Sequence, residues 1–244
     1  MDNNIFGLRP VIEAIKAGKE IDKVFLKNGL NGVLATELFH EIKKRNISMQ
    51  YVPLEKLDKL CNKNHQGVIA VISPVSYYDL EEIVEKSLNS GKVPLLVILD
   101  NITDVRNFGA IARTCECAGV DAIIIPMSNS VRITEDAIKT SAGALYNIPV
   151  CRVENIIDAI LLLQQVDIEI IAISEKSERM IYETDLKGPV ALILGSEESG
   201  ISSSVLKRAN IRSKIPMFGK TESLNVSVST AVGVYEVIRQ RLDT

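Results

Sequence analysis

Two different hydrophobic patterns divide this chain near residue 76. In the first 76 residues, short helical periods alternate with short strand-like runs, which is typical of a small α/β unit. From residue 93 onward, continuous apolar runs of strand length alternate with helical patterns. Because continuous hydrophobicity indicates strands that are covered on both faces, this part predicts an α/β fold: a parallel sheet with helices on both faces.

The same patterns place the predicted elements along the chain. In the first part we predict helices over 10–17, over 34–44 and directly after Pro53, and strands over 23–26, 48–52 and 67–72. In the second part we predict strands over 95–99, 122–125, 149–153, 168–173, 190–194 and 211–215. The helices between them are predicted over 107–118, 134–142, 156–165, 202–207 and 226–241.

A break in the pattern marks the boundary between the two parts. The segment Ser73-Pro74-Val75-Ser76 interrupts the pattern, and a polar helix around residues 80–88 ends at Gly91. These signals place the boundary between about residues 74 and 92. We therefore predict a small domain over 1–76, a linker over 77–92 and a larger domain over 93–244.

Composition excludes several classes of protein. The 244 residues carry 28 Lys and Arg against 31 Asp and Glu, and 46% of them are apolar. This content suffices for one large or two modest cores and excludes a disordered chain. The longest apolar runs fall far short of the roughly 18 residues needed to cross a bilayer, so we expect no contact with a membrane. The N-terminal residues carry no secretory signal pattern, so we expect a cytoplasmic location.

Cysteine and histidine are too sparse for a metal site or a disulfide framework. The four cysteines include no Cys-x-x-Cys pair, and the chain has only two histidines. We therefore expect no metal ion. We also expect reduced, mostly buried thiols at Cys61, Cys115, Cys117 and Cys151.

Charge is distributed unevenly along the chain. Residues 1–76 hold eleven basic and eight acidic side chains, a net charge of +3, and the remaining residues carry −6. An anionic partner such as RNA would prefer the first part. Ordinary solvated surfaces explain a difference of this size equally well.

Ligands of open parallel sheets bind beyond the carboxyl ends of the strands, so the loops after the strands are the place to look for chemistry. In the loop over 100–113, Asn107 and Arg113 offer an amide and a guanidinium within two helical turns. Alternatively, Asn107 only caps its helix and Arg113 pairs with an acid such as Glu116.

Two further loops carry polar residues at strand ends. The loop over 195–200 reads Gly-Ser-Glu-Glu-Ser-Gly, which permits a tight turn and close approach of the backbone to a ligand, with Glu197 at the strand end. A simple glycine-rich turn is the alternative. In the loop over 216–225, Ser223 and Asn225 could serve only as helix caps. The β-branched and hydroxyl residues that follow, over 226–230, are poor helix formers, which suggests that packing or a ligand dictates them.

Together these loops resemble the three successive motifs of the SpoU branch of the SPOUT superfamily, the RNA ribose 2'-O-methyltransferases. The motifs read Asn107-Phe-Gly-Ala-Ile-Ala-Arg113, Leu194-Gly-Ser-Glu197-Glu-Ser-Gly200, and Ile215-Pro-Met with Ser223-Leu-Asn225-Val-Ser. The resemblance covers roughly residues 95–241. It implies a C-terminal deep trefoil knot, although knots are rare among folds in general.

The resemblance also implies a cofactor and a mechanism. The loops after residues 173, 194 and 215 would form the knot and hold S-adenosylmethionine. The contacts to that cofactor are expected at Gly195, Ile215, Leu224, Ile173 and Met217. No metal ion or covalent enzyme intermediate is implied.

The remaining motif residues are assigned to catalysis by the resemblance. Arg113 would lie at the 2'-hydroxyl, Asn107 and Glu197 would orient Arg113 and the loops, and Ser223 and Asn225 would hold ribose or phosphate oxygens. Because a guanidinium keeps its proton at neutral pH, we favour electrostatic stabilisation of the developing alkoxide over a role as base. The family also implies a homodimer that forms through the knotted domain.

The first part adds a second resemblance. The segments Phe6-Gly-Leu-Arg-Pro-Val-Ile-Glu-Ala-Ile and Asn64-His-Gln-Gly67-Val are similar to the small RNA-binding substrate domain of the family's rRNA guanosine enzymes. This favours a guanosine of 23S rRNA as substrate, with tRNA as the alternative. A non-catalytic RNA-binding factor of ribosome assembly is the rival of another class. His65 is expected either to contact RNA or to pack within its loop.

Overall fold

The computed structural model describes residues 4–242, and the chain divides into two units between Ser76 and Tyr77. The first unit is built on a four-stranded sheet of order β1-β4-β2-β3. Strand β4 runs antiparallel to β1 and β2, and β3 runs parallel to β2. The elements are β1 Asn4–Phe6, α1 Leu8–Lys16, β2 Ile21–Lys27, α2 Val33–Lys44, β3 Met49–Val52, α3 Leu54–Leu60 and β4 Val68–Ile72.

Alternating side chains of β2 give the first unit two apolar layers. Val24 and Leu26 lie in one core with residues of α1 and α2, whereas Phe25 lies with Leu57 of α3 on the other side. Helices therefore cover both faces of this sheet, and the predicted small α/β unit is confirmed. Strand β1, which was not predicted, is three residues long and pairs with β4. Such a short run carries too little hydrophobic pattern to be recognised.

The second unit contains a six-stranded sheet in which every neighbouring pair is parallel, with the order β10-β8-β9-β5-β6-β7. The prediction of a parallel sheet is confirmed. Its strands are β5 Leu95–Asp100, β6 Ala122–Pro126, β7 Val150–Val153, β8 Glu169–Ile173, β9 Val190–Gly195 and β10 Ile211–Ser213. Its helices are α4 Leu80–Asn89, α5 Val105–Cys117, α6 Glu135–Thr140, α7 Ile156–Gln165, α8 Ser203–Leu206 and α9 Val226–Leu242.

Helices lie on both faces of this second sheet, as its continuously apolar strands require. Ile193 of β9 belongs to the core that includes residues of α4 and α7. Leu192, its neighbour in the same strand, faces the other way and lies against α9, where Gly233 packs on Leu192 and Ile173. Helix α9 also packs on α5. The predicted helix–sheet–helix arrangement is thus confirmed.

The prediction of a linker over residues 77–92 is wrong. Helix α4 spans most of that segment, and its apolar residues Leu80, Ile83 and Val84 are buried in the core of the second unit. Asp79 caps the helix by accepting a hydrogen bond from the Glu82 amide at 3.1 Å. Because the exposed face of α4 is polar, the sequence of this segment resembles that of a linker. The buried apolar residues on the other face pack the helix into the core of the second unit.

Strand β10 is shorter than the predicted strand over 211–215. It ends at Ser213, because Lys214 leaves the sheet to bond with the loop that follows β8. The Lys214 amide donates to the Arg179 carbonyl at 2.9 Å, and the Ile181 amide donates to the Lys214 carbonyl at 2.9 Å. The loop after β8 therefore pairs with the chain that leaves β10.

The end of α9 is anchored to the same region. Gln240 accepts a hydrogen bond from the Leu186 amide at 2.9 Å. The Arg241 guanidinium donates to the carbonyls of Val93, Pro94 and Gly188 at 2.7–2.8 Å, and burial lowers the pKa of Arg241. Side-chain to backbone bonds of this kind hold the last helix against loops that are distant in sequence.

Candidate functional site

Three loops of the second unit surround one cavity at the carboxyl edge of the sheet. They follow β8, β9 and β10, and the cavity has a volume of about 280 Å³. Such a volume lies just below the roughly 300–1,000 Å³ typical of small-molecule sites. All five residues that the motifs assign to the cofactor line this cavity, and they are Gly195, Ile215, Leu224, Ile173 and Met217.

The loop after β9 is folded tightly back on itself. The Gly200 amide donates to the Ser196 carbonyl at 2.8 Å, and the Ser196 and Ser199 hydroxyls lie 2.7 Å apart. A Cβ atom on Gly195 would lie 2.1 Å from the Gly200 carbonyl carbon, a distance that backbone atoms cannot tolerate. Glycine at 195 is therefore required by this close approach.

A polar network connects the three motif loops beside the cavity. The Asn107 Nδ2 donates to Glu197 Oε1 at 3.2 Å, and the Asn225 Nδ2 donates to Asn107 Oδ1 at 2.9 Å. Asn225 Nδ2 and the Val226 amide also donate to the same Glu197 oxygen, the latter at 3.2 Å. One carboxylate thus gathers donors from the helix after β5 and from the start of α9.

Asn107 does not cap its helix, contrary to one of the expectations for it. Helix α5 begins at Val105, and Asp104 is its cap, accepting from the Asn107 amide at 2.7 Å. Asn107 consequently sits inside the first turn, where its side chain is free to reach Glu197. A capping aspartate three residues before Asn107 was the sequence signal for this arrangement.

Asn225 combines a structural and a site role. Its Oδ1 accepts from the Ser227 amide at 2.9 Å, which caps the start of α9, while its Nδ2 joins the Glu197 network. Packing explains part of the unfavourable helix sequence that follows. Val226 and Thr230 are buried, and the Thr230 hydroxyl bonds to the Val226 carbonyl at 2.8 Å.

Arg113 stands apart from this network within a single chain. Its side chain is exposed, and within residues 4–242 it has no hydrogen bond or ion pair, either with Glu116 or with Glu197. Asn107 and Glu197 therefore fix the loops to each other and do not orient Arg113 within the chain. Ser223 is exposed and lies at the cavity wall beside Leu224.

The structure adds one residue that the sequence analysis did not select. Asp100 ends β5 and is buried, with one carboxylate oxygen accepting from the Ser202 amide at 2.7 Å and the other from the Asn101 side chain at 2.9 Å. Asp100 therefore connects the start of the loop after β5 with Ser202, which directly follows the loop after β9. An aspartate that closes a fully apolar strand was the signal for it.

Residues 4–242 contain neither a cluster of metal ligands nor a helix that could span a membrane. Within residues 4–242, no three His, Cys, Asp or Glu side chains are grouped so that they could hold a metal ion. None of the helices that the structure describes is long and apolar enough to span a membrane. All four cysteines are free. Cys115 and Cys151 are buried, which raises the pKa of their thiols to about 12, whereas Cys117 is exposed and Cys61 is half-buried, so the expectation of mostly buried thiols holds for two of the four.

Comparison with known families identifies the class of the protein. Residues 94–235 match the SpoU rRNA Methylase family, and residues 4–78 match the family described as RNA 2'-O ribose methyltransferase substrate binding. The chain therefore belongs to the SpoU family of RNA 2'-O ribose methyltransferases, and it carries that family's substrate-binding domain.

Individual relatives align with almost the whole chain. A protein from Staphylococcus haemolyticus is 34% identical over 237 residues, which cover 97% of this chain and 95% of the relative. A protein from Staphylococcus epidermidis is 36% identical over 239 residues with the same coverage. Both are named for the TrmH family of tRNA/rRNA methyltransferases.

Solved structures share the fold. The SpoU methyltransferase AviRb from Streptomyces viridochromogenes, in complex with AdoMet, superimposes with a TM-score of 0.62 at 22% identity and covers 99% of this chain and 91% of its own. An AdoMet-bound rRNA methyltransferase from Sinorhizobium meliloti gives 0.60 at 21% identity, covering 97% and 86%. A tRNA-modifying TrmH/SpoU enzyme from A. aeolicus gives 0.58 at 28% identity, covering 67% of this chain and 85% of its own.

Proposed function

We propose that this protein transfers a methyl group from S-adenosylmethionine to the 2'-hydroxyl of a guanosine ribose in 23S rRNA. The observation that carries the proposal is the convergence of the three motif loops on one cavity, with the Glu197 network at its side. A cytoplasmic location goes with this role.

The residues that line the cavity suit S-adenosylmethionine in polarity and charge. Ile173, Ile215, Leu224 and Met217 supply apolar walls for an adenine ring. Gly195 lines the same cavity, so its peptide groups are available to the polar edge of a base. Four glutamates, Glu175, Glu197, Glu198 and Glu222, line the same cavity against one lysine, Lys176. This excess of negative charge complements a sulfonium and an ammonium group, whereas it would repel the phosphates of a nucleotide.

The reaction needs a positioned oxygen and the loss of one proton. When bound, S-adenosylmethionine supplies a methyl group on a sulfonium, so that the C–S bond breaks as the bond from the 2'-oxygen to that carbon forms. Arg113 stabilises the negative charge that develops on the ribose oxygen, and the proton passes to a phosphate of the substrate. Ser223 holds a ribose or phosphate oxygen, and positioning supplies the larger part of the acceleration. Asn225, for which the same role was expected, already donates both Nδ2 protons to Asn107 and Glu197, so its part is to position the loops.

The isolated position of Arg113 fits a homodimer that forms through the knotted domain. Helix α9 exposes Val228, Tyr235 and Leu242, which are seven residues apart and therefore lie on one face of the helix. A second copy packed on this face would cover the apolar side chains and complete the acceptor site near a two-fold axis. Light scattering should give a dimer, and Tyr235→Glu should shift it toward monomer; an active wild-type monomer would contradict the proposal.

The N-terminal unit favours ribosomal RNA over tRNA as substrate. The match to the substrate-binding family spans residues 4–78, whereas the match to the A. aeolicus tRNA-modifying enzyme leaves about a third of this chain uncovered. The net charge of +3 over residues 1–76 suits a contact with RNA. Transfer RNA is the second candidate, because the staphylococcal relatives are named for both substrates.

Methyl-labelled S-adenosylmethionine, incubated separately with unmodified 23S rRNA and unmodified tRNA, tests the proposal. We expect 2'-O-methylguanosine in 23S rRNA alone, located by nuclease digestion and mass spectrometry. Label in tRNA alone would keep the chemistry and overturn the substrate. Cofactor binding measured by calorimetry, without label in either RNA, would favour the non-catalytic assembly factor.

A further inference from the structure

The first unit contains an open cleft beside the loop that precedes β4. The cleft is formed by the end of β2 and the turn after it, by helix α3, and by the segment over 63–67. All of these parts belong to the first unit, so the cleft is complete without any residue of the second. Its lining includes Lys27, Leu30, Asn31, Leu54, Lys63 and Asn64.

His65 organises this cleft from inside the protein. Its side chain is only 8% exposed, so it packs within the loop and does not present its ring to RNA. His65 Nδ1 accepts from the Gly67 amide at 3.0 Å, and His65 Nε2 lies 2.9 Å from Asp58 Oδ1. An acceptor role at Nδ1 requires the neutral tautomer with its proton on Nε2, which donates to Asp58. One imidazole thus ties the loop to helix α3.

The backbone of the loop is held in a conformation that few residues adopt. Gln66 has a φ of 51°, and Gly67 follows with a φ of 79°. A Cβ atom on Gly67 would lie 3.1 Å from Lys27 Cβ, so glycine allows the loop to approach β2. The Gln66 side chain accepts from the Leu8 amide at 3.1 Å, which caps helix α1 where Gly7 has no side chain to do so. Left-handed backbone at a non-glycine residue of this kind concentrates at functional sites.

The groups that face the cleft are mostly hydrogen-bond donors. Lys27, Asn31, Lys63 and Asn64 line it and are exposed. The Lys63 ammonium lies 5.4 Å from the centre of the Phe6 ring, which holds its position while leaving its protons available. Among the described residues that line the cleft, Asp58 is the one carboxylate, and its Oδ1 is already bonded to His65.

Hydrogen-bond donors with positive charge favour an anion. The apolar side chains beside them favour an anion that carries an apolar group. Two ammonium groups and two amides match the oxygens of a phosphodiester. Leu30 and the half-exposed Leu54 offer an apolar surface to a ribose or a base. We propose that this cleft binds a backbone phosphate of the RNA substrate, with Lys27 and Lys63 as its ligands and His65 as the residue that positions the loop. The inference rests on the proposed RNA substrate.

A double variant, Lys27→Ala with Lys63→Ala, tests the cleft against a matched control, Lys43→Ala with Lys44→Ala. The control removes the same charge from the opposite end of α2, where both lysines are exposed. Filter binding to a 23S rRNA transcript and a tRNA transcript would be measured over a series of salt concentrations. We expect the cleft variant to bind its substrate RNA about tenfold more weakly and its salt slope to fall by about one to two, with the control changing less than about twofold.

Lysine acylation read by mass spectrometry distinguishes RNA from a free anion. We expect the RNA transcript to protect Lys27 and Lys63, and inorganic phosphate at the same phosphate concentration to leave them reactive. Equal protection by inorganic phosphate would overturn the assignment to RNA. Equal losses of RNA affinity in the two double variants would overturn the role of the cleft.

These readouts also separate the cleft from the proposed reaction. If wild-type protein methylates RNA while the cleft variant binds it normally, the cleft assignment fails and the reaction stands. If RNA binding depends on the cleft lysines but no methyl group is transferred, the cleft assignment stands and the reaction fails. The affinity for S-adenosylmethionine is expected to be the same in all variants, because the cofactor cavity belongs to the second unit.

Discussion

Asn107 and Glu197 are ninety residues apart in sequence, and the Asn107 side chain donates a hydrogen bond to the Glu197 carboxylate at 3.2 Å. The contact is possible because β5 and β9 are adjacent parallel strands, so that the segments after them meet at the same edge of the sheet.

Removal of the shared carboxylate should separate the motif loops. In Glu197→Ala, the Asn107 and Asn225 amides and the Val226 backbone amide lose their common acceptor. We expect turnover to fall at least about tenfold, since a small displacement of positioned groups costs that much. Glu197→Gln keeps an acceptor oxygen and should retain more activity. Steady-state methylation kinetics would check this, with Glu154→Ala as control, because Glu154 is an exposed glutamate directly after β7. A wild-type kcat for Glu197→Ala would contradict the role.

The guanidinium of Arg113 should act on the reaction and not on cofactor binding. Arg113→Ala is expected to reduce turnover at least about a hundredfold, because removing a group that stabilises transition-state charge typically costs that much. Because Arg113 is not among the residues that line the cavity, S-adenosylmethionine affinity should change little. Arg113→Lys keeps the charge and should recover part of the rate. Single-turnover methylation and calorimetry give the two readouts, and near-normal turnover of the alanine variant would refute the assignment.

Any side chain at position 195 should weaken the binding of S-adenosylmethionine. In Gly195→Ala the new Cβ meets the backbone of Gly200 and Ile201 at 2.1–2.2 Å, so the loop after β9 must open. We expect S-adenosylmethionine affinity to fall at least about tenfold, with a loss of stability of about 1–3 kcal/mol. Gly188→Ala is the matched control, because nothing lies within 4 Å of its added Cβ. Calorimetry and urea denaturation would measure both effects, and unchanged affinity for Gly195→Ala would be the contrary result.

Helix α9 should make an acid-sensitive contribution to stability. The hydrogen bond from Arg239 lowers the pKa of the buried Glu236 below its ordinary value of 4.5, and a further bond from Gln240 acts in the same direction. A lowered pKa in the folded state stabilises the protein above the unfolded-state value, and this contribution disappears as the pH falls through the lowered pKa.

The variant Glu236→Gln isolates this contribution. We expect it to reduce the free energy of unfolding by about 1–2 kcal/mol above about pH 5, because the Arg239 partner is largely exposed. The difference from wild type should shrink toward pH 3. Urea denaturation of both proteins over this pH range would measure it. A difference that does not depend on pH would show that Glu236 acts only by packing.

Much of the fold and part of the site were readable from residue patterns. Continuous apolar runs predicted the parallel strands, because a strand buried on both faces cannot alternate. The segment of helix α4 was predicted as a linker because a helix with only one buried face has mostly polar residues. Strand β10 was predicted too long because Lys214 gives its hydrogen bonds to another loop, and no local pattern records that choice.

By itself, the sequence determined the order of the strands along the chain, the motif residues and the family to which they belong, since each depends on residue type and spacing. Only the tertiary structure decided that Asn107, Glu197 and Asn225 form one network while Arg113 stands apart from it. It also decided that Asp104 caps α5 and that His65 is buried. The physical reason is that hydrogen bonds and burial depend on distances between loops that are far apart in sequence, and those distances exist only once the sheet has assembled.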